Sequence, residues 1–492
     1  MKLYNKSRNI LLTGLVVMFS CTGDFEEINT NKNNPTSAQP NLILPGVQRD
    51  VINTLVGETW SIGNTVIQHT AKNQFVNEDR YLWGELNGIW NSVYDNMRDL
   101  NNLLIYADAE DLPNYKGVGL IMKSWMFSLA TDAYGDIPYS QAMNAKEGIF
   151  FPEYDTQESI YDGILSDLKE ANDLLADALP ISGDLIYGGN VQNWRKLANS
   201  LRLRYLMRIS DRRNVSTEMT AILNDPVNNP IFESNADHAV YTYTADAPDQ
   251  FPVFTYRIGS FNEFRASKTL VDRLKAIDDP RLYVFVRPTP ATEATPDPAD
   301  DQYVGLPNGL ADVEALTYNG GPEFQSRVGP LFFEQANTPL GLQVAKGVIM
   351  TYAELQFILA EAAEKGMIGG TAEDYYLEGI EASFAFYGIN PDAAYFTQEE
   401  VEYSGTQEER LEKIGNQKWI SLFFQGLEAW FDWKRTGYPA LTPAVDNQNN
   451  DKIPVRFIYP IIEQSLNGAN RQAAVTRQGP DDLNSRVWWD VD

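Results

Sequence analysis

Aromatic rings alternate with hydrogen-bonding side chains in residues 77–83, which contain Asn77, Arg80, Tyr81 and Trp83. The face of a Tyr or Trp ring packs well against the C–H groups of a sugar ring, while amide and guanidinium groups bind hydroxyls. We therefore predict that Tyr81 and Trp83 stack on a ligand. Asn77 and Arg80 are predicted to hydrogen-bond to it. The alternative for Trp83 is that its ring packs on the helix that follows.

Two further stretches have the same mixed character. Residues 251–264 are rich in Phe and also contain Tyr256 and Arg257. Residues 318–324 surround a Gly-Gly pair and contribute three more candidates, Tyr318, Asn319 and Phe324. Each of these side chains is a candidate ligand contact, since long irregular loops on a rigid frame are where binding residues concentrate. The alternative is that most of the rings fill the interior of their own loops.

The sequence lacks the compact motifs that identify common enzymes, including the P-loop, H-E-x-x-H, G-x-S-x-G and Cys/His metal clusters. Its two histidines, His69 and His238, are far apart along the chain. A glycosidase needs only two carboxylates at a suitable separation, so that alternative stays open. Residues 446–451 hint at a calcium loop but lack the Gly and distal Glu of an EF-hand, which favours a polar surface loop. We predict a protein that is not an enzyme and holds no cofactor or metal.

Cys21 is the only cysteine of the chain, and it follows a segment with the features of a secretory signal. A basic start precedes an apolar run of about ten residues, which is too short to cross a bilayer core of roughly 30 Å. We predict that residues 1–20 are a signal peptide and that Cys21 accepts lipid, although Met18 and Phe19 depart from the usual residues before such a cysteine. The alternative is an N-terminal anchor that stays attached.

Residues 21–40 follow the cysteine as a polar stretch rich in Asn, Thr, Pro and Ser, with no apolar period. This composition predicts a flexible tether. Its acidic cluster, Asp24, Glu26 and Glu27, resembles the signal that sends lipoproteins to the outer face of the outer membrane. The alternative is a solvated linker that carries no address.

The overall composition is that of a globular protein, with 43% hydrophobic and 22% charged residues. No linker divides residues 41–492, for which we predict a single domain. The formal charge of −28 disfavours nucleic acid, anionic lipid surfaces and strongly acidic polysaccharides as partners. No segment after the leader approaches 18 apolar residues in a row, so no further membrane span is expected.

Apolar residues recur every three or four positions through much of the chain, which predicts a mostly α-helical protein. The periodic segments form pairs with short connections: 85–107 with 116–133, 157–177 with 192–211, and 351–366 with 372–388. Such pairs are typical of tetratricopeptide-like hairpins, whose neighbours bury a shared core. A further apolar stripe runs through Trp419, Leu422, Phe423 and Trp430.

Residues 212–345 and 436–492 are rich in Pro, Gly, Asn and Asp, which predicts long irregular loops with a few helices, such as Ser267–Ala276. The short apolar runs within them predict brief strands at Ala239–Tyr243, Leu282–Val286 and Val455–Ile458. Four prolines between Pro288 and Pro298 predict an extended loop. We expect the helical hairpins to form a scaffold and the loops and strands to lie on the ligand side.

Six blocks of this sequence, in order, resemble those of SusD-like proteins of the SusD/RagB group, and the pattern is most similar to its starch-binding-associated branch. The blocks are SWMFSLATDAYGDIPYSQA (124–142), ESIYDGILSDLKEANDLL (158–175), NWRKLANSLRLRYLMRIS (193–210), MTYAELQFILAEAAEKG (350–366), NQKWISLFFQGLEAWFDWKRTGYP (416–439) and IPVRFIYPIIEQSLNGAN (453–470). Together with the leader, the resemblance covers nearly the whole chain.

The resemblance implies a lipid-anchored protein on the outer surface of the outer membrane. Such proteins cap a SusC-type TonB-dependent transporter and hold an oligosaccharide, or in some members a peptide, without performing chemistry on it. The tetratricopeptide-like side is expected to pack on the transporter and the irregular side to hold the ligand. In this family the segment before the helix that begins near Glu85 reaches the ligand face.

Arg204 and Arg208 share one face of a predicted helix within the densest basic run of the chain, which extends from Arg202 to Arg213. One interpretation is a contact with an acidic surface of the transporter. The other, which we favour, is internal ion pairing with nearby carboxylates. Trp430 and Trp433 are expected to belong to the core.

Overall fold

Most of the predicted helices form where the apolar stripes place them. The computed structural model describes residues 39–295 and 297–491. Its α-helices are α1 Pro40–Glu58, α2 Asn64–Val66, α3 Gly88–Ala109, α4 Pro113–Tyr134, α5 Gln157–Leu174, α6 Val191–Arg208, α7 Ser216–Leu223, α8 Lys268–Ala276, α9 Leu282–Phe285, α10 Pro290–Glu293, α11 Asp312–Thr317, α12 Gly341–Val344, α13 Tyr352–Glu364, α14 Ala372–Phe386, α15 Gln407–Ser421, α16 Glu428–Thr436, α17 Glu463–Leu466 and α18 Gly468–Gln478.

The three predicted pairs are antiparallel hairpins, formed by α3 with α4, α5 with α6, and α13 with α14. Local sequence sets their ends. Thr156 caps α5 by accepting a hydrogen bond from Ser159 N, and Asn190 caps α6 in the same way. Pro113 begins α4, where the missing N–H costs no helical hydrogen bond. Gly366 follows α13 with a φ of +69°, which glycine adopts without strain. The mostly α-helical fold class is therefore confirmed.

Residues 416–439 form two helices and not one continuous stripe. α15 ends at Ser421, and α16 begins at Glu428. Between them Phe424 and Gly426 have φ values of +61° and +70°, which reverse the chain. Trp430 is completely buried, as predicted, and Trp433 is half-buried against the core.

Buried ion pairs join the helical hairpins to each other. The guanidinium of Arg204 on α6 donates from Nε to Glu354 on α13 at 2.5 Å, and both side chains are almost fully buried. Arg208 donates to Asp132 on α4 at 2.9 Å and also contacts Glu428. The basic run is therefore paired internally, as favoured from the sequence.

The strands are short and form two-stranded antiparallel sheets: β1 Thr70–Lys72 with β5 Phe264–Ala266, β2 Ile137–Pro138 with β3 Tyr154–Asp155, and β4 Ala239–Tyr241 with β6 Gly347–Met350. Of the three predicted strands only the first forms, as β4. Leu282–Phe285 instead forms the single-turn helix α9, and residues 455–458 form no strand. β1 and β5 were not predicted, because three residues are too few to show alternation.

The proline-rich stretch from Pro288 to Pro298 is not entirely extended. Pro290 begins the one-turn helix α10, a position at which proline is well tolerated. Short 3₁₀ turns occur elsewhere in the loops at Asn235–Asp237, Pro252–Arg257, Ser260–Glu263, Pro298–Asp300, Tyr318–Gly320, Pro322–Phe324, Pro330–Phe332 and Ala393–Thr397, and a π-helical turn spans Thr59–Gly63.

Residues 40 onward form one compact unit. The predicted signal peptide, Cys21 and most of the tether lie outside the described residues. Helix α1 begins at Pro40, where the predicted tether ends, and it packs against α3. Among the described helices, none combines the length and the apolar composition that a bilayer crossing requires.

Candidate functional site

The segment 70–83, which consists of β1 and the turns after it, is where the predicted candidate stretches meet. β1 pairs with β5, so that Lys72 lies opposite Phe264. The backbone N–H of Asn73 continues the ladder by donating to Glu263 O at 2.8 Å. This pairing places the loop 251–263, with Tyr256 and Arg257, beside the segment 70–83.

Asp79 fixes the path of this segment from inside the protein. Its buried carboxylate accepts hydrogen bonds from Lys72 N at 3.0 Å, Gly309 N at 2.9 Å and Asn308 Nδ2 at 2.6 Å. Burial raises the pKa of Asp79 to about 6, although these donors act in the opposite direction. One carboxylate therefore joins β1 to a loop more than two hundred residues away in sequence.

The third candidate stretch is attached to the same segment. Asn73 Nδ2 donates to Gln325 Oε1 at 3.2 Å, and Gln325 Nε2 in turn donates to Tyr318 O at 3.0 Å. A longer contact of 3.4 Å joins Val76 N to Asp312. Residues 318–324 are thereby held next to residues 73–77. The structure thus brings together all three stretches that the sequence singled out.

Within the first stretch, the two predicted stacking residues face the interior to different degrees. Tyr81 is only 1% exposed, and its hydroxyl accepts a hydrogen bond from Ala444 N at 3.2 Å. Trp83 is half-buried, with Nε1 donating to Glu78 O at 2.8 Å. Its ring lies edge-on to Trp430, with ring centroids 6.4 Å apart. These contacts give both rings a structural role inside the protein.

The two polar candidates of that stretch differ in their surroundings. Arg80 Nε donates to Asp446 O at 3.0 Å, while Arg80 O accepts from Gln448 N at 2.6 Å. Arg80 therefore ties the segment to the polar loop 446–451. Asn77 is exposed at the surface of the turn.

The candidates from the other two stretches keep more of their surface exposed. Phe324 is 45% exposed, and Asn319 donates from Nδ2 to Phe324 O at 3.0 Å with a φ of +54°. Tyr318 and Tyr256 are half-buried. Arg257 is exposed, and its guanidinium lies over the Phe254 ring, 4.0 Å from the centroid.

A pocket of about 610 Å³, which we call the β1 pocket, opens where α1, the π-helical turn, β1 and loop 252–264 meet. Lys72 is its central cation, and its Nζ lies 2.8 Å from Glu78 and 3.8 Å from Glu263. Three rings line it, since the ring centroid of Trp60 lies 4.6 Å from that of Phe264 and 6.3 Å from that of Tyr256. Of the candidates predicted from the sequence, Tyr256 lines this pocket. Its other lining residues include Asn53, Thr54, Glu58, Ser61 and Ser260.

Glu58 stands at the last residue of α1 on the wall of this pocket. No hydrogen-bond donor reaches its carboxylate within the described part of the chain. Burial raises the pKa of Glu58 to about 7, because removal from water disfavours the charged form. Near neutral pH this group is therefore both a hydrogen-bond donor and an acceptor for a ligand hydroxyl.

Several residues of the site were missed from the sequence. Phe75 is 66% exposed at a φ of +51°, which holds its ring out from the turn. A Phe within the mostly polar residues 72–77 was the sequence feature that could have identified it. Glu58 and Trp60 gave no comparable signal, since they belong to α1 and the turn after it, which were not predicted.

The chemistry that the site offers is adsorption of a ring with many hydroxyls. Exposed Phe75 and Phe324 supply apolar faces, and the β1 pocket supplies carboxylates, amides, hydroxyls and one ammonium group. In residues 39–295 and 297–491, no three or more His, Cys, Asp or Glu side chains are grouped so as to hold a metal ion. Within loop 446–451, Asn447 Nδ2 donates a hydrogen bond to the Asp451 carboxylate at 3.1 Å.

Comparisons with known proteins agree with this architecture. Residues 32–460 match the SusD-like family described as starch-binding and associating with the outer membrane. A SusD homolog from Bacteroides fragilis is 30% identical with a TM-score of 0.79, over 92% of this chain and 99% of its own. A second from the same bacterium is 26% identical with a TM-score of 0.81, over 92% and 100%. A chitin-binding protein is 28% identical with a TM-score of 0.77, over 92% and 99%.

No curated protein sequence matches the chain. The family match nevertheless spans most of its length, and the 30% identical structure is covered almost completely. TM-scores of 0.77 to 0.81 over 92% of this chain show that it shares the fold of these relatives. The chain belongs to the SusD-like family.

Proposed function

We propose that this protein captures a neutral oligosaccharide on the cell surface and delivers it to a SusC-type TonB-dependent transporter without cleaving it. The observation that carries the proposal is the convergence of three aromatic and polar stretches on segment 70–83, next to the β1 pocket. Exposed Phe75 and Phe324 lie on the two stretches that the Asn73–Gln325 hydrogen bond joins. Aromatic faces beside polar side chains are an arrangement suited to binding sugars.

Location and partner follow from the leader and the family. Lipid on Cys21 would tether the chain to the outer membrane through residues 22–39, facing the exterior. The family's description as associating with the outer membrane supports this placement. We propose the transporter as the partner on the helical-hairpin side, because the ligand candidates lie among the loops.

Glycan is proposed over peptide because the exposed rings stand beside hydroxyl-binding groups. One of the similar structures is a chitin-binding protein, and the family is described as starch-binding. The charge of −28 favours an uncharged glycan. A peptide-capturing role is the alternative within the family.

Calorimetric titration tests the proposal, using the soluble chain that begins at Thr22 and a panel of neutral oligosaccharides including maltohexaose and chitohexaose. We expect binding without new reducing ends. Phe75→Ala and Phe324→Ala should each weaken it about tenfold, which corresponds to ~1.4 kcal/mol. Phe150→Ala is the matched control, since Phe150 is 71% exposed on a different loop and should leave affinity unchanged.

Three outcomes would overturn the proposal. New reducing ends would make the protein a glycosidase. Binding of peptides in place of every saccharide in the panel would make it a peptide-capturing member. Failure of the full-length lipoprotein to retain a SusC-type transporter from native outer membranes would remove the delivery step.

A further inference from the structure

A second cavity lies at the other end of helix α8 from the β1 pocket. It has a volume of about 750 Å³ and is enclosed by the last turn of α8, the start of α9 and loop 298–304. Helix α8 has nine residues, so its two ends are about 13 Å apart. The β1 pocket contains Phe264, before the first turn of α8, whereas this cavity contains Lys275. We call it the α8 cavity.

Tyr283 stands at the α8 cavity and is 65% exposed. Across residues 39–295 and 297–491, every other Tyr or Trp side chain is buried or half-buried. Tyr303 meets it edge to face, with ring centroids 5.4 Å apart and an angle of 72° between the ring planes. The two rings form a corner that is apolar on both sides and open to solvent.

Both walls of this corner are held rigidly before any ligand arrives. On one wall, α9 buries Leu282 and Phe285, so Tyr283 between them points outward. The turn before it is fixed by a fully buried ion pair of 2.6 Å between Asp279 and Arg281.

The opposite wall is fixed by its backbone. Lys275 Nζ donates to Tyr303 O at 2.5 Å, and Thr289 N donates to Gln302 O at 2.7 Å. A preformed aromatic corner loses little entropy when it binds a ligand.

Three polar side chains that line this cavity are available to bind a ligand. Asp278, Asp301 and Gln302 line it, and their side chains make no hydrogen bond or ion pair to another described residue. Carboxylate and amide groups beside an aromatic face are suited to bind the hydroxyls of a stacked sugar. With two carboxylates against the single ammonium of Lys275, the local charge opposes an anionic ligand.

We propose that the α8 cavity is a second saccharide-binding site, which takes a neutral sugar unit stacked on Tyr283. The site stands on its own geometry and does not depend on the role proposed for the β1 pocket. Tyr303 orients the Tyr283 ring, and Gln302 and Asp301 bind hydroxyls at the edge of the sugar.

The test uses the soluble chain from Thr22 carrying both Phe75→Ala and Phe324→Ala, so that binding at the first site is strongly weakened. This double variant is titrated with maltohexaose, cellohexaose, mannohexaose and chitohexaose. We expect a saccharide-binding event to remain in it. Adding Tyr283→Ala should weaken that event about tenfold, whereas adding Tyr283→Phe should preserve it because the ring face is kept. Phe150→Ala added to the same background is the control for loss of an exposed ring.

The two proposals fail in different ways. If no saccharide binds the double variant, or if Tyr283→Ala binds as tightly as the control, the second site is overturned. If the unmodified chain loses all binding on Tyr283→Ala alone and keeps it in the Phe75 and Phe324 variants, the α8 cavity stands and the first site is overturned. Circular dichroism of each variant checks that the fold is retained.

Discussion

At the scale of residues, a single buried carboxylate fixes the path of segment 70–83. Asp79 accepts three hydrogen bonds, two of them from backbone N–H groups on separate parts of the chain. A carboxylate that accepts several N–H donors offsets much of the cost of its own burial. Asp79 thereby fixes the segment that carries the exposed ring of Phe75.

Glu58 leads to a prediction about pH. Burial raises its pKa to about 7 from an ordinary 4.5, so the folded chain keeps the proton over a range in which the unfolded chain has lost it. The folded state is therefore penalised progressively as pH rises from about 4.5 to 7, and the penalty is constant above that. Glu58→Gln removes it. The free energy of unfolding of the variant, relative to that of the wild type, should rise by roughly 2–3 kcal/mol from pH 4.5 to pH 8.

Urea unfolding at the two pH values measures this difference. Glu110→Gln makes the same chemical change at an exposed position after α3 and should show no such trend. A stability difference for Glu58→Gln that stays flat across the pH range would show that its carboxyl is not desolvated.

The sequence singled out three stretches that the fold brings together, but it did not show which of their side chains face solvent. Tyr81 and Trp83 have the residue types of a sugar platform, yet contacts with Ala444 and Trp430 draw them inward. Those partners lie about 350 residues further along the chain. Periodicity and composition carry no information about such distant neighbours, so the choice between stacking and packing could not be made from local sequence.

At the scale of elements, ion pairs inside the helical scaffold replace part of an ordinary apolar interface. Arg204 and Glu354 join α6 to α13, and Arg204 Nη2 also donates to Ile349 O at 2.9 Å. Two hairpins that are distant in sequence are thereby aligned by directional contacts. A buried pair of this kind costs desolvation, and its removal from one side leaves the other charge unpaired.

Arg204→Met should therefore destabilise the protein by about 3–5 kcal/mol, because it leaves Glu354 buried and unpaired. The double variant Arg204→Met with Glu354→Met should recover most of that loss. Lys169→Met removes an exposed pair with Asp173 and is the control, with an expected loss below about 0.5 kcal/mol. Urea unfolding gives the free energy of unfolding of each variant. If Arg204→Met alone is as stable as the double variant, the unpaired charge on Glu354 does not cause the loss.

Helices with a long apolar stripe were predictable, and short elements were not. The hairpins of α3 to α6, α13 and α14 follow from spacing that repeats over four or five turns. α1 was missed because it carries Pro45 and begins directly after a polar stretch. The composition of residues 282–286 fits either a strand or a helical turn. Tertiary packing around Leu282 and Phe285 favours the helix at Leu282–Phe285.

At the scale of the whole molecule, the charge of −28 sets which ligands approach. Net negative charge repels polyanions at long range and has no comparable effect on a neutral sugar. The fold class and the scaffold were both visible in composition and periodicity. Which cavities the loops enclose was not, because each one is lined by segments that meet only in the folded chain.

Affinity for a neutral oligosaccharide should consequently change less than about twofold between roughly 50 and 500 mM NaCl, since no charges are paired on binding. Polygalacturonate, an acidic glycan, should bind more weakly than the best neutral probe at every salt concentration. Titration across the salt series gives both results. Tighter binding of the polyanion at low salt would mean that a local basic patch outweighs the overall charge.

The hydrogen bonds of segment 70–83 also set an order of events during folding. The hairpins close over short stretches of chain and can form early, whereas Asp79 must find Asn308, 229 residues away. Arg80 must then meet Asp446, 366 residues away. The contacts of segment 70–83 are thus complete only when nearly the entire polypeptide has been made. A chain cut short before residue 446 would lose the contact of Arg80 with Asp446. It would also lose the buried side chains of Phe457, Tyr459 and Trp489, which pack against α3 and α4.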